Sequence, residues 1–291
     1  MRVVVISSCR AKNRYILDVV RRTFPEAIIL RPWWQGSSSL QQLRVWSKHP
    51  LRGAAKILRR VSNDVRDRRH ERRAVQLLYG DTADSLDLPP HLAVPARDLR
   101  TGRTADILAA LAPDVLVLSG APILPPDLLA IPKHGTVNLH FGVAPQYRGE
   151  HTLFHALLHG DYDHVGMTIH RVDAGVDTGP VLAYVRPAMT AADDEVSLGV
   201  KCAQLGARVL VEYLHTVEEG APALGTSQTT KGRLYRLDDR TLWKDIRSWA
   251  SRSILRRRPP HRVAETTRFF PAASELALRQ GSVGSRGNRL T

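Results

Sequence analysis

The segment Val115-Leu116-Val117-Leu118 is apolar at every position. A half-buried strand alternates polar and apolar side chains, so a run without alternation must be covered on both faces. That is the condition of a mostly parallel sheet with helices above and below. Apolar runs at Val3 to Ile6, Ala27 to Leu30, His91 to Val94 and Thr136 to Leu139 supply further strands, the second of them ended by Pro32. Between them the spacing turns helical. Tyr15, Ile16, Val19 and Val20 follow the first strand, and Thr104 to Leu111 leads through Pro113 into Val115. Strand, loop and helix in succession predict an α/β fold with an open sheet.

Other stretches fill in the pattern. Trp33 to Ser39 reads as a loop, and Ala54 to Tyr79 as a long charged helix with Ile57, Leu58, Val61, Val65, Val75 and Leu78 on its apolar face. His151 to Leu158 reads as a helix. Gly166 to Val172 and Pro180 to Arg186 alternate as strands around the turn Asp173 to Gly179. A last strong helix runs from Asp194 to Val217, stopped at Glu218-Glu219-Gly220. Residues 1–220 thus form the main unit. Residues 221–291 hold 15 Lys and Arg against 5 Asp and Glu, which makes them a small basic extension of strands and helix. Its last residues, rich in Gly, Ser and Arg, are expected to be disordered.

The whole chain carries a formal net charge of +14. Such an excess fits a phosphate-rich partner, an acidic substrate, an anionic surface or a basic background. Two cysteines, Cys9 and Cys202, form neither a disulfide framework nor a metal cluster, so a reducing compartment and no metal are expected. Arg10, Lys12 and Arg14 interrupt the first apolar segment, which excludes a signal peptide reading. No window approaches the roughly 20 apolar residues of a membrane span. The expectation is a soluble, cytoplasmic protein with no membrane partner.

The densest polar cluster on a buried element is Asn138-Leu139-His140. Positions i and i+2 of a strand point the same way, so amide and imidazole emerge together at the strand's C-terminal end, where open α/β sheets bind ligands. An imidazole can move a proton near neutral pH, and an amide can donate to an oxygen gaining charge in a tetrahedral intermediate. The same two side chains would also serve to fasten a loop. In the turn Asp173-Ala174-Gly175-Val176-Asp177-Thr178-Gly179-Pro180, one aspartate suits a turn cap, and another could orient an imidazole or bind an ammonium.

The run from His134 through Asn138, His140, Phe141, Pro145 and Arg148 to Gly149 resembles the signature of the folate-dependent formyltransferases. That family includes glycinamide ribonucleotide, methionyl-tRNA and sugar N-formyltransferases. The likeness continues through Gly160-Asp161, Gly166-Met167-Thr168-Ile169-His170 and Asp177-Thr178-Gly179-Pro180, in family order. The resemblance implies the family's α/β sheet and a catalytic set of Asn138, His140 and Asp177. It also implies 10-formyltetrahydrofolate as formyl donor and a small-molecule amine as acceptor. Asn138 and His140 would stabilise the oxyanion while Asp177 positions His140 and helps to move protons. Asp173 is the rival carboxylate. The family's folate pocket falls on Ser119, Gly120, Ile123 and Leu124 after the preceding strand, and on Asp173 and Val176 in the aspartate loop.

Departures from the family pattern bear on the acceptor. The glycine-rich phosphate loop of the purine-pathway member is replaced by Ser7 to Arg14, which has no glycine. Arg10, Lys12 and Arg14 either hold a phosphate or carboxylate through side chains or are an ordinary solvated helix start. Phe141 stands where the family has a serine and would either shape an apolar or sugar-accepting pocket or simply pack. Arg148 is a substrate or loop-ordering contact. The 71 residues after Gly220 do not read as the C-terminal barrel of the tRNA-directed member, so nucleic acid is not the expected partner. A strand beginning near Met1 leaves no place for the regulatory domain of the formyl-folate hydrolases. The expected acceptor is an amino sugar nucleotide, and a homodimer is possible. Hydrolysis of the formyl donor, a non-catalytic basic RNA-binding module and a nicotinamide oxidoreductase are the competing readings. The last lacks its glycine fingerprint.

Overall fold

A computed structural model describes residues 1–33, 50–80, 90–96, 98–100, 102–221 and 223–271. Most of the predicted loop at 33–39 and the expected disordered tip lie outside these residues. The first half alternates as expected: β1 (Val3–Ser7), α1 (Ala11–Thr23), β2 (Ile28–Trp33), α2 (Pro50–Tyr79), β3 (Leu92–Pro95), α3 (Gly102–Leu111) and β4 (Val115–Ser119). There follow α4 (Pro126–Leu129), β5 (Thr136–His140), β6 (Tyr147–Gly149), α5 (Thr152–His159), β7 (Met167–Arg171), β8 (Val181–Arg186) and α6 (Glu195–Glu218). The extension supplies β9 (Arg233–Tyr235), α7 (Leu242–Ser253) and β10 (Glu265–Arg268).

Eight strands make one sheet in the order β10-β8-β7-β5-β4-β1-β2-β3. The pairs from β3 to β5 are parallel, whereas β5-β7, β7-β8 and β8-β10 are antiparallel. The fold is therefore α/β with a mixed, mostly parallel sheet and a C-terminal strand and helix added to it. Alternate residues of the apolar runs divide between two cores. Val3, Val5, Val115 and Val117 pack under α1 and α6 with Ile16, Leu17, Leu198 and Cys202. Val4, Ile6, Leu116 and Leu118 pack on the other face with Leu108 and Leu128. Each such side chain contributes about 1.5–3 kcal/mol through burial. Coverage of both faces is the physical cause of the unalternating pattern.

Three local expectations change. β2 continues through Pro32 because it has already left β1: the β1 register ends at Leu30, and Pro32 is paired only with β3. α2 starts at Pro50, and the apolar face predicted for it is only partly used. Val61 and Val65 are exposed, while Ala74, Val75 and Leu78 pack against Ala11, Val196 and Val200. Among the described side chains only the last turns lie over α1 and α6, so apolar spacing alone did not bury Val61 and Val65; Ile57 and Leu58 of the predicted face lie outside the described side chains. α6 begins one residue later than predicted, with Asp194 as its N-cap. The Asp194 carboxylate accepts from Val196 N and Ser197 N, and Ser197 Oγ accepts from Asp194 N, a reciprocal cap that fixes the start of the helix.

Candidate active site

β5 projects Leu139 into the core and turns Asn138 and His140 to the opposite side, onto the wall of a cavity of about 1000 Å³. Backbone alternation does this without help from the loop. Antiparallel register with β7 then sets His170 opposite Asn138. The loop between β7 and β8 brings Asp177 to the same point in a left-handed backbone conformation (φ 52°). The placement is held by the extension, where Gln228 Nε2 donates to Asp177 O (3.1 Å) and to Gly179 O (2.8 Å).

The three residues and His170 form one network. Asp177 Oδ2 lies 3.3 Å from His140 Nδ1 and accepts from Gly149 N at 2.8 Å. Asp177 Oδ1 accepts from Asn138 Nδ2 at 3.2 Å and lies 3.3 Å from His170 Nε2. Burial by itself would push the Asp177 carboxyl up. The His140 and His170 rings in their protonated forms, together with the Gly149 N–H, act against it and hold the group well below the usual carboxylate range. His140 Nε2 is 2.8 Å from Tyr147 O, which can only accept, so this nitrogen carries a proton and donates. In the neutral ring Nδ1 is then the basic position, beside Asp177. His170 Nδ1 likewise faces Arg171 O at 2.8 Å, leaving its Nε2 to accept from Asn138 Nδ2 at 3.1 Å.

The acceptor-only carboxylate also fixes the Asn138 amide, nitrogen toward Asp177. Both of its N–H groups are thereby engaged. The donor role expected of Asn138 toward an oxyanion requires one of them to turn away as substrate arrives, whereas Asn138 Oδ1 has no protein donor among the described residues.

Of the two aspartates, Asp173 is the turn cap. Its Oδ1 accepts from Gly175 N (3.0 Å) and Thr178 Oγ1 (2.6 Å), and the residue is exposed at the cavity rim. The expected folate-side residues divide similarly. Gly120, Ile123, Leu124 and Val176 line the cavity with Leu118 and Val172, and Ile123 is 64% exposed at its edge. Ser119 does not line it. Its hydroxyl is buried and donates to Asn13 Oδ1 (3.1 Å), which ties β4 to α1.

Among the basic residues, Arg10 and Lys12 line the cavity and Arg14 does not. Arg14 Nε lies 3.8 Å from Asp18 on the same helix, where the i,i+4 spacing turns it away. Lys12 Nζ sits 4.6 Å from the centre of the Phe141 ring. Burial pulls the Lys12 ammonium down in pKa, against the opposing fields of Glu195 and Glu71. Arg148 is a loop-ordering residue: it donates to Val176 O (3.3 Å) and Gly232 O (2.9 Å) and lies outside the cavity wall.

The cavity also has walls that the sequence did not announce. α2 contributes His70 and Glu71, α6 contributes Glu195, and the extension contributes Tyr235 and Arg240. Arg240, 3% exposed, donates to both Glu195 oxygens (2.7 and 3.0 Å) and to Asp245 (2.9 Å). Burial would raise the Glu195 carboxyl, yet Arg240 holds it down at about 2. Of the residues not singled out, only His170 left a signal in the sequence: it belongs to the Gly166–His170 segment on a strand predicted next to the aspartate turn.

The family model described as formyl transferase matches residues 62–214, more than half of the chain. A methionyl-tRNA formyltransferase of Salinispora tropica is 38% identical over 156 residues, 52% of this chain and 50% of that protein. One from Legionella pneumophila (strain Paris) is 32% identical over 187 residues, 62% of this chain and 57% of that protein. The chain spans about half the length of the curated relatives it matches. In structure it is similar to a sugar N-formyltransferase from a Shewanella species (TM-score 0.54, 14% identity, 85% of this chain and 86% of that one). A 4-N formyltransferase from Francisella tularensis is similar too (TM-score 0.52, 11% identity, 85% and 86% covered). At these identities the two structures speak for the fold.

Proposed function

The chain belongs to the formyl transferase family, and we propose that it moves a formyl group from 10-formyltetrahydrofolate to the primary amine of a small, anionic acceptor such as an amino sugar nucleotide. The observation that carries this reading is the convergence of Asn138, His140 and Asp177, from two separate segments, on the wall of one cavity large enough for two small molecules.

The residues present suit a folate. Leu118, Ala121, Leu124, Val172 and Val176 give one side of the cavity an apolar lining for a flat ring, between two loops whose backbone groups can read its polar edge. Bound there, 10-formyltetrahydrofolate would supply the carbonyl carbon that the amine attacks. Asn138 Oδ1 is placed to accept an N–H of the amine and orient it. His140 Nδ1 is the position that takes the proton as the amine gains positive charge, and the Asp177 carboxylate stabilises the resulting imidazolium; that proton would then pass to N10 of the folate as the formyl C–N10 bond breaks and tetrahydrofolate leaves. The donor to the developing oxyanion is an Asn138 N–H released from His170 or Asp177. On the acceptor side Lys12 and Arg10 provide positive charge, with Phe141 and Tyr235 as apolar surfaces.

The test is a screen of amino sugars, nucleotide-linked amino sugars, amino acids and amine-bearing intermediates with 10-formyltetrahydrofolate, read by the mass gain of one formyl group. Formylation of an amine, abolished by H140A, is the expected outcome. Release of formate with every amine untouched would favour hydrolysis. No folate binding at all would overturn the reading.

A further inference from the structure

α7 is amphipathic, and it is mounted inside out. At roughly 100° per residue, Leu242 and Ile246 form the centre of an apolar stripe, with Trp249 on one edge and Trp243 on the other. In a helix packed on a globular body this stripe would be buried. Here Trp243 is 71% exposed, Trp249 61%, Ile246 45% and Leu242 44%, and no residue of the helix is buried. The polar face is the one turned inward. Asp245 pairs with Arg66 (3.0 Å) and Arg240 (2.9 Å), and Lys244 Nζ donates to Asp239 O (2.6 Å). Ser248, Ser251 and Arg252 line a small gap against Phe154 and Leu157 of α5. These half-buried ion pairs hold the orientation, so the outward stripe is built in.

What covers it is indicated by its borders. Beyond Trp243 the next position around the helix is Arg247, whereas beyond Trp249 come Asp245 and Arg252, which belong to the inward face. Just past the helix, Ile254 and Leu255, each 64% exposed, run into Arg256-Arg257-Arg258. Arg247, Arg256 and Arg258 make no ion pair among the described residues, and the one carboxylate of α7 is already paired inward. An apolar centre, tryptophan edges, a cationic border at Arg247 and the arginines past Leu255 match the depth profile of a lipid interface: acyl chains, the carbonyl layer, then phosphates. A second copy would set the same cationic borders against each other on a chain of net charge +14. No helix among the described residues is long and apolar enough to cross a membrane, so the contact is with the surface.

We propose that α7 and the segment to Arg258 dock the protein on an anionic lipid surface. This revises the expectation of no membrane partner and is independent of the catalytic reading. The test is flotation of the full chain with vesicles of equal parts phosphatidylcholine and phosphatidylglycerol, compared with pure phosphatidylcholine. Co-flotation is expected with the anionic vesicles only. It should weaken with salt and fall at least tenfold in W243A/W249A, whose exposed positions leave the circular dichroism unchanged. R247E/R256E should fall similarly, as a second route to the same surface. Absence of binding to anionic vesicles overturns the proposal. So does binding that survives W243A/W249A, which would be bare charge attraction. A smaller oligomer in W243A/W249A without any vesicle binding would assign the stripe to a second copy and overturn it too.

Discussion

The imidazole of His140 and the carboxylate of Asp177 meet at 3.3 Å although they come from opposite ends of a stretch that contains β6, α5 and β7. The other ring nitrogen is held by Tyr147 O, so the proton position is set by backbone and the charge by Asp177. Replacing His140 or Asn138 by Ala, or Asp177 by Asn, should lower turnover by about 10²–10⁴-fold, the usual range for a positioned acid–base group. Steady-state product formation on folded variants measures this. Wild-type turnover in H140A would sink the assignment. Because the folded pKa of Asp177 is depressed, its contribution to stability is present above the ordinary value of 3.8 and is lost only as pH falls into the strongly acid range. An acid limb near neutrality in the rate profile therefore does not come from Asp177.

Gly142 lies tight against the same histidine. A Cβ there would stand 2.6 Å from His140 Nε2 and 2.6 Å from Thr152 Oγ1, whose hydroxyl is bonded to Phe141 O. Gly142→Ala should therefore displace the imidazole from Tyr147 O. The expected result is a fall in turnover larger than the stability loss of about 1–3 kcal/mol typical of overpacking. Paired kinetic and unfolding measurements separate the two. Full activity in G142A would show that the ring does not depend on this contact.

Arg240 joins the extension to the main sheet through Glu195 and Asp245. Arg240→Ala leaves a carboxylate buried without its partner, which typically costs about 3–5 kcal/mol. Urea unfolding should show that loss, with E195Q/R240L recovering much of it because both charges are then gone. A loss under 1 kcal/mol for R240A would place the pair in effectively aqueous surroundings.

His155 is fully buried, stacked on Tyr235 at 4.1 Å, and neither ring nitrogen has a partner among the described residues. Burial pushes its pKa down from 6.5 to about 3, and that of His151 to about 4. A lowered folded value means that the unfolded chain binds the proton first. The stability these residues contribute is complete above pH 6.5 and drains away as pH falls toward 3. H155L should flatten that acid loss in thermal unfolding scans across the range. An unchanged slope would show that His155 does not titrate on unfolding.

The sheet was legible because its cause is local. A run such as Val3-Val4-Val5-Ile6 must be covered on both faces, and the division of its residues between two cores is that requirement met. Asn138 and His140 were legible as a pair for an equally local reason, since alternation on β5 puts them on one side. The choice between Asp173 and Asp177 was not local. It depends on Gly149 N and Gln228, which are distant in sequence and arrive only when β6 and the extension pack.

The same boundary separates the rest. Sequence by itself determined seven strands of the main sheet, most of the helices and the amide–imidazole pair, because side-chain periodicity reports which face of an element is covered; β6 lies in a stretch that reads as a loop, and the extension's strands had no placement. It did not determine how far α2 would be covered, that β5, β7, β8 and β10 would run antiparallel, or that α7 would turn its tryptophans outward. Periodicity says that a helix has an apolar face; only the ion pairs of Asp245 with Arg66 and Arg240 decide which way that face points. Arg66 lies 179 residues from Asp245 in the chain, and their meeting is a property of the folded molecule alone.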